Sequence, residues 1–266
     1  MNSFILTETR GQPFLGGIRN ASPLLWWTSL AFLAGFVLCA GLATVDPRLF
    51  NGISVWVKPA KFFLSLGLHM LTLGFGLMLL PQAARETLSV SIAAATMAAM
   101  AILEMVYIVF RAARGEASHF NASSELASLL YTAMGLGAAL MMVVTAFIGV
   151  QILRRGPRTL LGRATGGGLV LAAVLTMVVG FTLGGMGSHW IGGDQTDATG
   201  LPVFGWSTTG GDLRVAHFLG LHVMQALPVM ALTGNRGVVL GTALFALAAT
   251  VATYAMALNG LPIFAI

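Results

Sequence analysis

The sequence predicts an all-α polytopic membrane protein, a seven-helix transmembrane bundle in a single domain over residues 1–266. Hydrophobic residues make up 57% of the chain and charged residues only 9%, whereas a typical soluble domain carries about 25% charged residues. Seven apolar runs each reach the roughly 20 residues that a helix needs to cross a bilayer. The 33 glycines suit such a bundle, because small residues let membrane helices approach closely.

The seven runs follow one another along the chain with polar connections between them. The first begins after a polar leader, so it is interpreted as a retained span and not as a cleaved signal sequence. The sixth contains Pro228, which is expected to kink it. The predicted spans are residues 23–45, 60–81, 87–110, 125–153, 164–186, 214–233 and 237–258.

Two connections are long enough to contribute structure of their own. The one after span 1 contains Trp56 and is expected to include a short interfacial segment. Segment 187–212 is the longest connection and is rich in Gly and Thr, and its Trp190 and Trp206 are expected to anchor at the headgroup level. We predict that this segment, called the lid from here on, folds over the ends of spans 2, 3 and 6.

The basic residues predict the orientation in the membrane. The connection between spans 4 and 5 contains Arg154, Arg155, Arg158 and Arg163, so the positive-inside rule places it in the cytoplasm. With seven spans the N-terminus is then cytoplasmic, and the lid and the C-terminus lie outside, in what we expect to be a bacterial inner membrane. The formal charge of +5 forms no basic stripe, so we expect membrane lipid and not nucleic acid as a partner.

Three ionisable side chains are predicted at a similar depth in the outer half of the bundle. His69 in span 2, Glu104 in span 3 and His222 in span 6 lie about 10–13 Å below the outer ends, at 1.5 Å per helical residue. Such groups are costly in a bilayer and usually face a partner or a cavity. We therefore predict that they converge on one site that holds haem b or a transition-metal ion.

Further polar residues complete the predicted site. Tyr107 shares a helical face with Glu104, and Gln225 follows His222 by three residues. His217 precedes His222 by five residues, about 140° around a helix, so these two histidines are not an i, i+4 metal pair. The candidate catalytic residues are Glu104, Tyr107 and His217. The candidate cofactor-binding residues, including basic partners for haem propionates, are Lys58, Lys61, Arg111, Arg214 and Gln225.

Three segments of the chain carry a resemblance. KPAKF (58–62), RGEASHFN (114–121) and GDLRVAHFLGLHVMQ (211–225) resemble an uncharacterised bacterial family of multi-pass membrane proteins, and this resemblance implies no activity. The seven-span metal hydrolases of the ceramidase and progestin-receptor type are similar at Ser65-Leu-Gly-Leu-His69. Their later His-xxx-His pattern is not matched by His217 and His222.

These observations leave three functions open, beside that of a receptor or an assembly subunit. The first is redox, with His69 and His222 as haem ligands, or with both and Glu104 on an iron or other metal ion, and with a quinol or lipid as partner. The second is a metal-dependent lipid hydrolase with Glu104 as its base. The third is a proton- or ion-coupled transporter that uses the same three residues as a relay, although polar residues are sparse in the inner half.

Overall fold

The computed structural model describes residues 14–264, so most of the predicted cytoplasmic leader lies outside the described residues. Seven of the described helices are long and apolar enough to cross a membrane, which confirms the all-α, seven-span prediction and an integral membrane protein. Spans 1 to 7 are, in order, Pro23–Val45, Val57–Met78, Leu88–Ala113, Glu125–Arg155, Leu160–Met186, Leu213–Ala231 and Arg236–Leu258.

The residues around each helix start explain where spans 2, 4 and 6 begin. Span 2 begins at Val57, three residues earlier than predicted, because Pro59 falls in the first turn, where a missing N–H costs no helical hydrogen bond. Span 4 begins after Ser124, whose hydroxyl accepts from the Ala127 N–H at 3.1 Å. Span 6 begins after Asp212 and continues through Pro228 to Ala231.

Short elements cover the two ends of the bundle. Helix Phe14–Ala21 packs against the end of span 2, where the Phe14 and Phe75 rings are 5.8 Å apart, and helix Gln82–Arg85 lies between spans 2 and 3. At the opposite end, β1 (Leu49–Phe50) pairs with β2 (Ile53–Ser54), and β3 (Trp190–Ile191) pairs with β4 (Gly211–Asp212). The predicted interfacial segment after span 1 is therefore a small hairpin.

The lid folds back over the starts of spans 2 and 6, as predicted for those two spans. The Lys61 ammonium of span 2 donates to the Phe204 carbonyl at 2.8 Å. The Arg214 guanidinium of span 6 donates to the Gly205 carbonyl at 2.6 Å. The Asp197 N–H donates to the Asn51 carbonyl of the β1–β2 hairpin at 3.1 Å. We call this end of the bundle the lid face and the opposite end, which carries Arg154 to Arg163, the arginine face.

Spans 4 and 5 approach each other most closely at two glycines. A Cβ added to Gly149 would lie 2.8 Å from the Gly166 carbonyl oxygen and 2.9 Å from the Leu169 Cβ. Neither neighbour is the flexible end of a side chain, so a larger residue would push the two helices apart. Close packing of this kind replaces the hydrophobic effect as the force that joins helices in lipid.

Gly149→Ala is therefore expected to lower the free energy of unfolding by about 1–3 kcal/mol, the usual cost of overpacking. Gly167→Ala is the matched control on the facing helix, because nothing lies within 4 Å of a Cβ added there. The control should be neutral or slightly stabilising, since Ala favours a helix over Gly. Thermal unfolding of both variants in detergent measures the difference, and equal melting temperatures would contradict the expectation.

Candidate functional site

Two histidines lie deepest in the site. His69 is 2% exposed, and its Nε2 lies 2.9 Å from the Thr145 hydroxyl oxygen of span 4. That hydroxyl donates its own proton to the Met141 carbonyl at 2.8 Å, so the His69 Nε2–H must be the donor and Nδ1 keeps the lone pair. His222 Nδ1–H donates to the Phe218 carbonyl at 2.7 Å, which leaves the lone pair on its Nε2.

Glu104 is paired with a residue from a loop and not with the deep histidines. Its side chain is 6% exposed, and its Oε1 lies 3.4 Å from Nε2 of His119, in the connection between spans 3 and 4. Burial, followed by the positive charge of Lys58, holds the pKa of His119 well below its usual range. The contact is therefore one between a neutral imidazole and the carboxyl group, and the Ser118 hydroxyl lies 3.2 Å from the other ring nitrogen.

The observed helix ends show that the three predicted ligands do not lie at one depth. His69 is twelve residues from the first residue of span 2, whereas His222 is nine from the start of span 6 and Glu104 nine from the end of span 3. At 1.5 Å per residue His69 therefore lies about 4–5 Å deeper than the other two. Within residues 14–264 no group of three or more His, Cys, Asp or Glu side chains is placed to hold a metal ion.

The chain's five histidines nevertheless form one electrostatically connected column. His222 lies within electrostatic range of His69 and of His217. His217 and His189 lie within the same range of His119. These residues come from two spans, the lid and one further connection, so only the folded bundle brings them together. We call the five histidines with Glu104 the histidine column.

Aromatic rings enclose the outer part of the column. The His119 ring packs against Phe62 at 5.4 Å and against Tyr131 at 6.1 Å, measured between centroids. Phe120, which packs on His189 at 5.8 Å, has a φ of 55°, a conformation that aromatic residues rarely adopt. This backbone turn places Phe120 against His189 of the lid, and such strain concentrates at functional sites.

Several buried polar atoms of the site lack a hydrogen-bond partner among the described residues. They are the Tyr107 hydroxyl, the Gln225 Oε1, the His189 Nε2 and the Trp190 Nε1. Buried polar groups are normally paired with protein or water. These four atoms are therefore placed to form hydrogen bonds with water or with a ligand. The amide nitrogen of Gln225 is held by the Thr72 hydroxyl at 3.1 Å, which aims the side chain between spans 2 and 6.

Most of the basic residues predicted to bind a cofactor are engaged by the protein itself. Arg214 contacts Asp197 at 2.7 Å and Asp212 at 2.7 Å, and Arg111 contacts Glu116 at 2.6 Å. Lys61 donates to the lid. Lys58 has no ion pair within 4.0 Å among residues 14–264; its ammonium lies 5.8 Å from the centre of the Phe62 ring. Of the four basic residues predicted to pair with an anionic group of a cofactor, only Lys58 is therefore left without a protein partner for its charge among the described residues.

Two of the site residues were not singled out from the sequence. The His189 ring packs 3.9 Å from that of Trp190 and is half-buried within the lid. Thr145 is fully buried in span 4 and orients His69. A threonine in a span mostly bonds its own helix, so the sequence carries no signal for this contact.

The lid histidine is expected to make stability depend on pH. Burial, followed by the charge of Arg214, lowers the pKa of His189 from 6.5 to about 3, with Asp212 opposing and Lys58 adding to the shift. Below pH 6.5 the unfolded chain therefore binds a proton that the folded chain does not, and stability falls as the pH falls toward 3. His189→Phe keeps a ring and removes the titration. The variant should lose about 2 kcal/mol less than the wild type between pH 7 and 5.

Thermal unfolding of both proteins at pH 7, 6 and 5 measures this effect. The carboxyl groups and His119 titrate in both proteins, so the difference between the two curves isolates His189. Parallel curves would show that His189 is solvated and titrates normally in the folded protein.

Comparison with protein-family models, with curated proteins and with solved structures gave no match. The function is therefore inferred from the geometry of the histidine column.

Proposed function

We propose that this protein is a proton-coupled membrane transporter in which the histidine column takes up protons from the lid face. One observation carries the proposal: all five histidines and the only acidic residue deep within a span lie together under one lid. Chains of His and carboxyl groups inside a membrane are the usual construction of proton relays. A relay also accounts for five imidazoles that form no metal-binding group within residues 14–264.

The contacts of three of these groups leave each of them a proton to donate or a lone pair to accept one. The Glu104 carboxylate lies 3.4 Å from the His119 Nε2 at the lid-face end of the column. His222 and His69 each use one ring nitrogen as a fixed donor, to Phe218 and Thr145, and the second nitrogen of each is a free acceptor. A proton that enters beside Glu104 therefore finds acceptors at successively greater depth, ending at His69.

The column is closed at both ends, which favours a transporter over a channel. The lid covers it on one side through the contacts of Lys61 and Arg214. On the other side lie fully buried apolar side chains: Leu73, Leu77, Met97, Ile148 and Leu169. Alternating access requires a mid-membrane site that is shut on both sides between its two open forms, whereas a channel requires a continuous polar path.

A redox function is the second candidate, and His222 is the residue that favours it. A ligating histidine usually donates its other ring N–H to a carbonyl, as His222 does to Phe218. His69 fits an axial position less well, because its Nε2–H donates to Thr145. An absorption spectrum of the purified protein tests this candidate directly: a Soret band lost in His222→Phe would favour a haem protein.

The proton-coupled function is tested by current from protein adsorbed to a solid-supported membrane. A rapid drop in pH should displace charge without any added solute, because protons cross part of the membrane field to reach His222 and His69. His222→Phe keeps the ring contact with Phe218 and removes the acceptor, so the displaced charge should fall. Arg236→Gln, at the arginine face, is the control and should leave it unchanged. A wild-type signal equal to that of protein-free liposomes would overturn the proposal.

A further inference from the structure

The connection between spans 4 and 5 forms a cavity at the arginine face, far from the histidine column. Its volume is about 340 Å³, and it is lined by Ile152, Leu153, Pro157, Arg158 and Arg163. One wall is therefore apolar and the other carries two guanidinium groups. Leu153 is 47% exposed on the outside of span 4, so the apolar wall continues onto surface that faces lipid.

The charge around this cavity is uncompensated. Arg154 and Arg155 end span 4, and Arg158 and Arg163 follow. In the part of the chain that the structure describes, none of these four has a carboxylate within 4.0 Å. Span 5 also begins here after Thr159, and the first turn of a 27-residue helix adds a partial positive charge.

A second arginine-lined cavity at the lid face provides a contrast. It measures about 510 Å³ and contains Arg111 and Arg114. Glu116 neutralises much of its charge, because it contacts Arg111 at 2.6 Å and Arg114 at 2.9 Å. The cavity between spans 4 and 5 is smaller but has no such internal counter-ion among the described residues. The electrostatic attraction of an anion from outside the protein is therefore stronger there.

We propose that the cavity between spans 4 and 5 binds the phosphate headgroup of an anionic phospholipid. Arginine matches phosphate through two parallel N–H donors, and basic pockets at the ends of membrane helices recognise anionic headgroups. The apolar wall at Leu153 favours a lipid over a free phosphate, because the acyl chains would continue along span 4. A zwitterionic headgroup would bring its own cation toward four arginines and is disfavoured. This inference is independent of the proposed transport function.

Binding is tested with purified protein in detergent, to which phosphatidylglycerol, phosphatidylcholine or inorganic phosphate is added. Native mass spectrometry should detect phosphatidylglycerol bound more tightly than phosphatidylcholine. The double variant Arg158→Gln/Arg163→Gln should bind phosphatidylglycerol about tenfold more weakly or worse, the scale of one lost charge-assisted contact. Arg236→Gln removes an arginine at the same face that does not line the cavity, so it should bind like the wild type.

Two further measurements keep the test decisive. Arg158→Lys and Arg163→Lys keep the charge but lose the planar pair of donors, and each should weaken phosphatidylglycerol binding by a smaller factor. Phosphatidylglycerol, but not inorganic phosphate, should raise the melting temperature of the wild-type protein. Equal affinity of the double variant and the wild type would overturn the site, and equal stabilisation by inorganic phosphate would overturn its assignment to a lipid.

Discussion

Replacing Glu104 by Gln is expected to slow proton uptake by the histidine column about a hundredfold, the lower range for loss of a positioned acid or base. The amide is nearly isosteric with the carboxyl group and can keep the contact with His119, whose Nε2 lies 3.4 Å from the Glu104 Oε1 in the wild type. It cannot take a proton. The fold should be retained, because the amide fills the same space and the substitution removes a buried ionisable group that is costly in a membrane.

The rise time of the current after a pH drop measures this rate. Glu116→Gln is the control, because Glu116 also lies near the outer end of span 3 but pairs with Arg111 and Arg114 outside the column. Its current should resemble that of the wild type. If Glu104→Gln and Glu116→Gln both behave like the wild type, Glu104 is a packing residue and is not the group through which protons enter the column.

Arg214→Ala is expected to cause the largest loss of stability, about 3 kcal/mol, which is the lower end for removing one partner of a buried ion pair. The guanidinium joins Asp212, Asp197 and the Gly205 carbonyl. The Asp212 side chain is only 2% exposed, so it would stay buried and unpaired. The lid would also lose its main contact with span 6, which should make it sensitive to proteases.

Arg48→Ala is a matched control for this substitution. Arg48 pairs with Asp46 two residues away, as Arg214 does with Asp212, but its side chain is 49% exposed. Such exposed pairs contribute little to stability. Thermal unfolding and limited proteolysis in detergent should therefore separate the two variants clearly. Similar behaviour would mean that water screens the Arg214 contacts as well.

The sequence predicted the fold closely for a physical reason. In a bilayer each span must satisfy its own backbone hydrogen bonds, so the length and hydropathy of a run determine a helix almost without reference to its neighbours. The boundaries of spans 1 and 7 illustrate this, since the structure places them at Pro23–Val45 and Arg236–Leu258. The start of span 2 was missed by three residues, since the helix begins at Val57 and includes Pro59 in its first turn.

The site could be predicted only in part. The cost of burying charge singled out His69, Glu104 and His222, of which the structure buries the first two and half-buries the third. Their convergence on one ion was predicted from their similar depth and from that cost. Depth along separate helices does not give the rotation of each helix or the path of the loops, and these decide the partners.

Two histidines of the column come from loops that fold back onto the bundle, which the pattern of apolar and polar residues does not predict. His119 and His189 both lie in connections, where a histidine is usually solvated, and yet they extend the column outward from His217. The contact of Thr145 with His69 likewise joins residues 76 positions apart. None of these contacts has a local sequence signal, since each joins elements that are distant in the sequence.

The sequence by itself therefore determined the class of protein, the number and place of its spans, and which side chains are too costly to leave facing lipid. These properties follow from the transfer of each segment into the bilayer, which is a property of that segment alone. Only the tertiary structure decided that Glu104 pairs with His119, that the lid holds Arg214 and Lys61, and that five histidines share one column. These properties depend on helix rotation and loop closure, because a hydrogen bond forms only between groups within about 3 Å of each other.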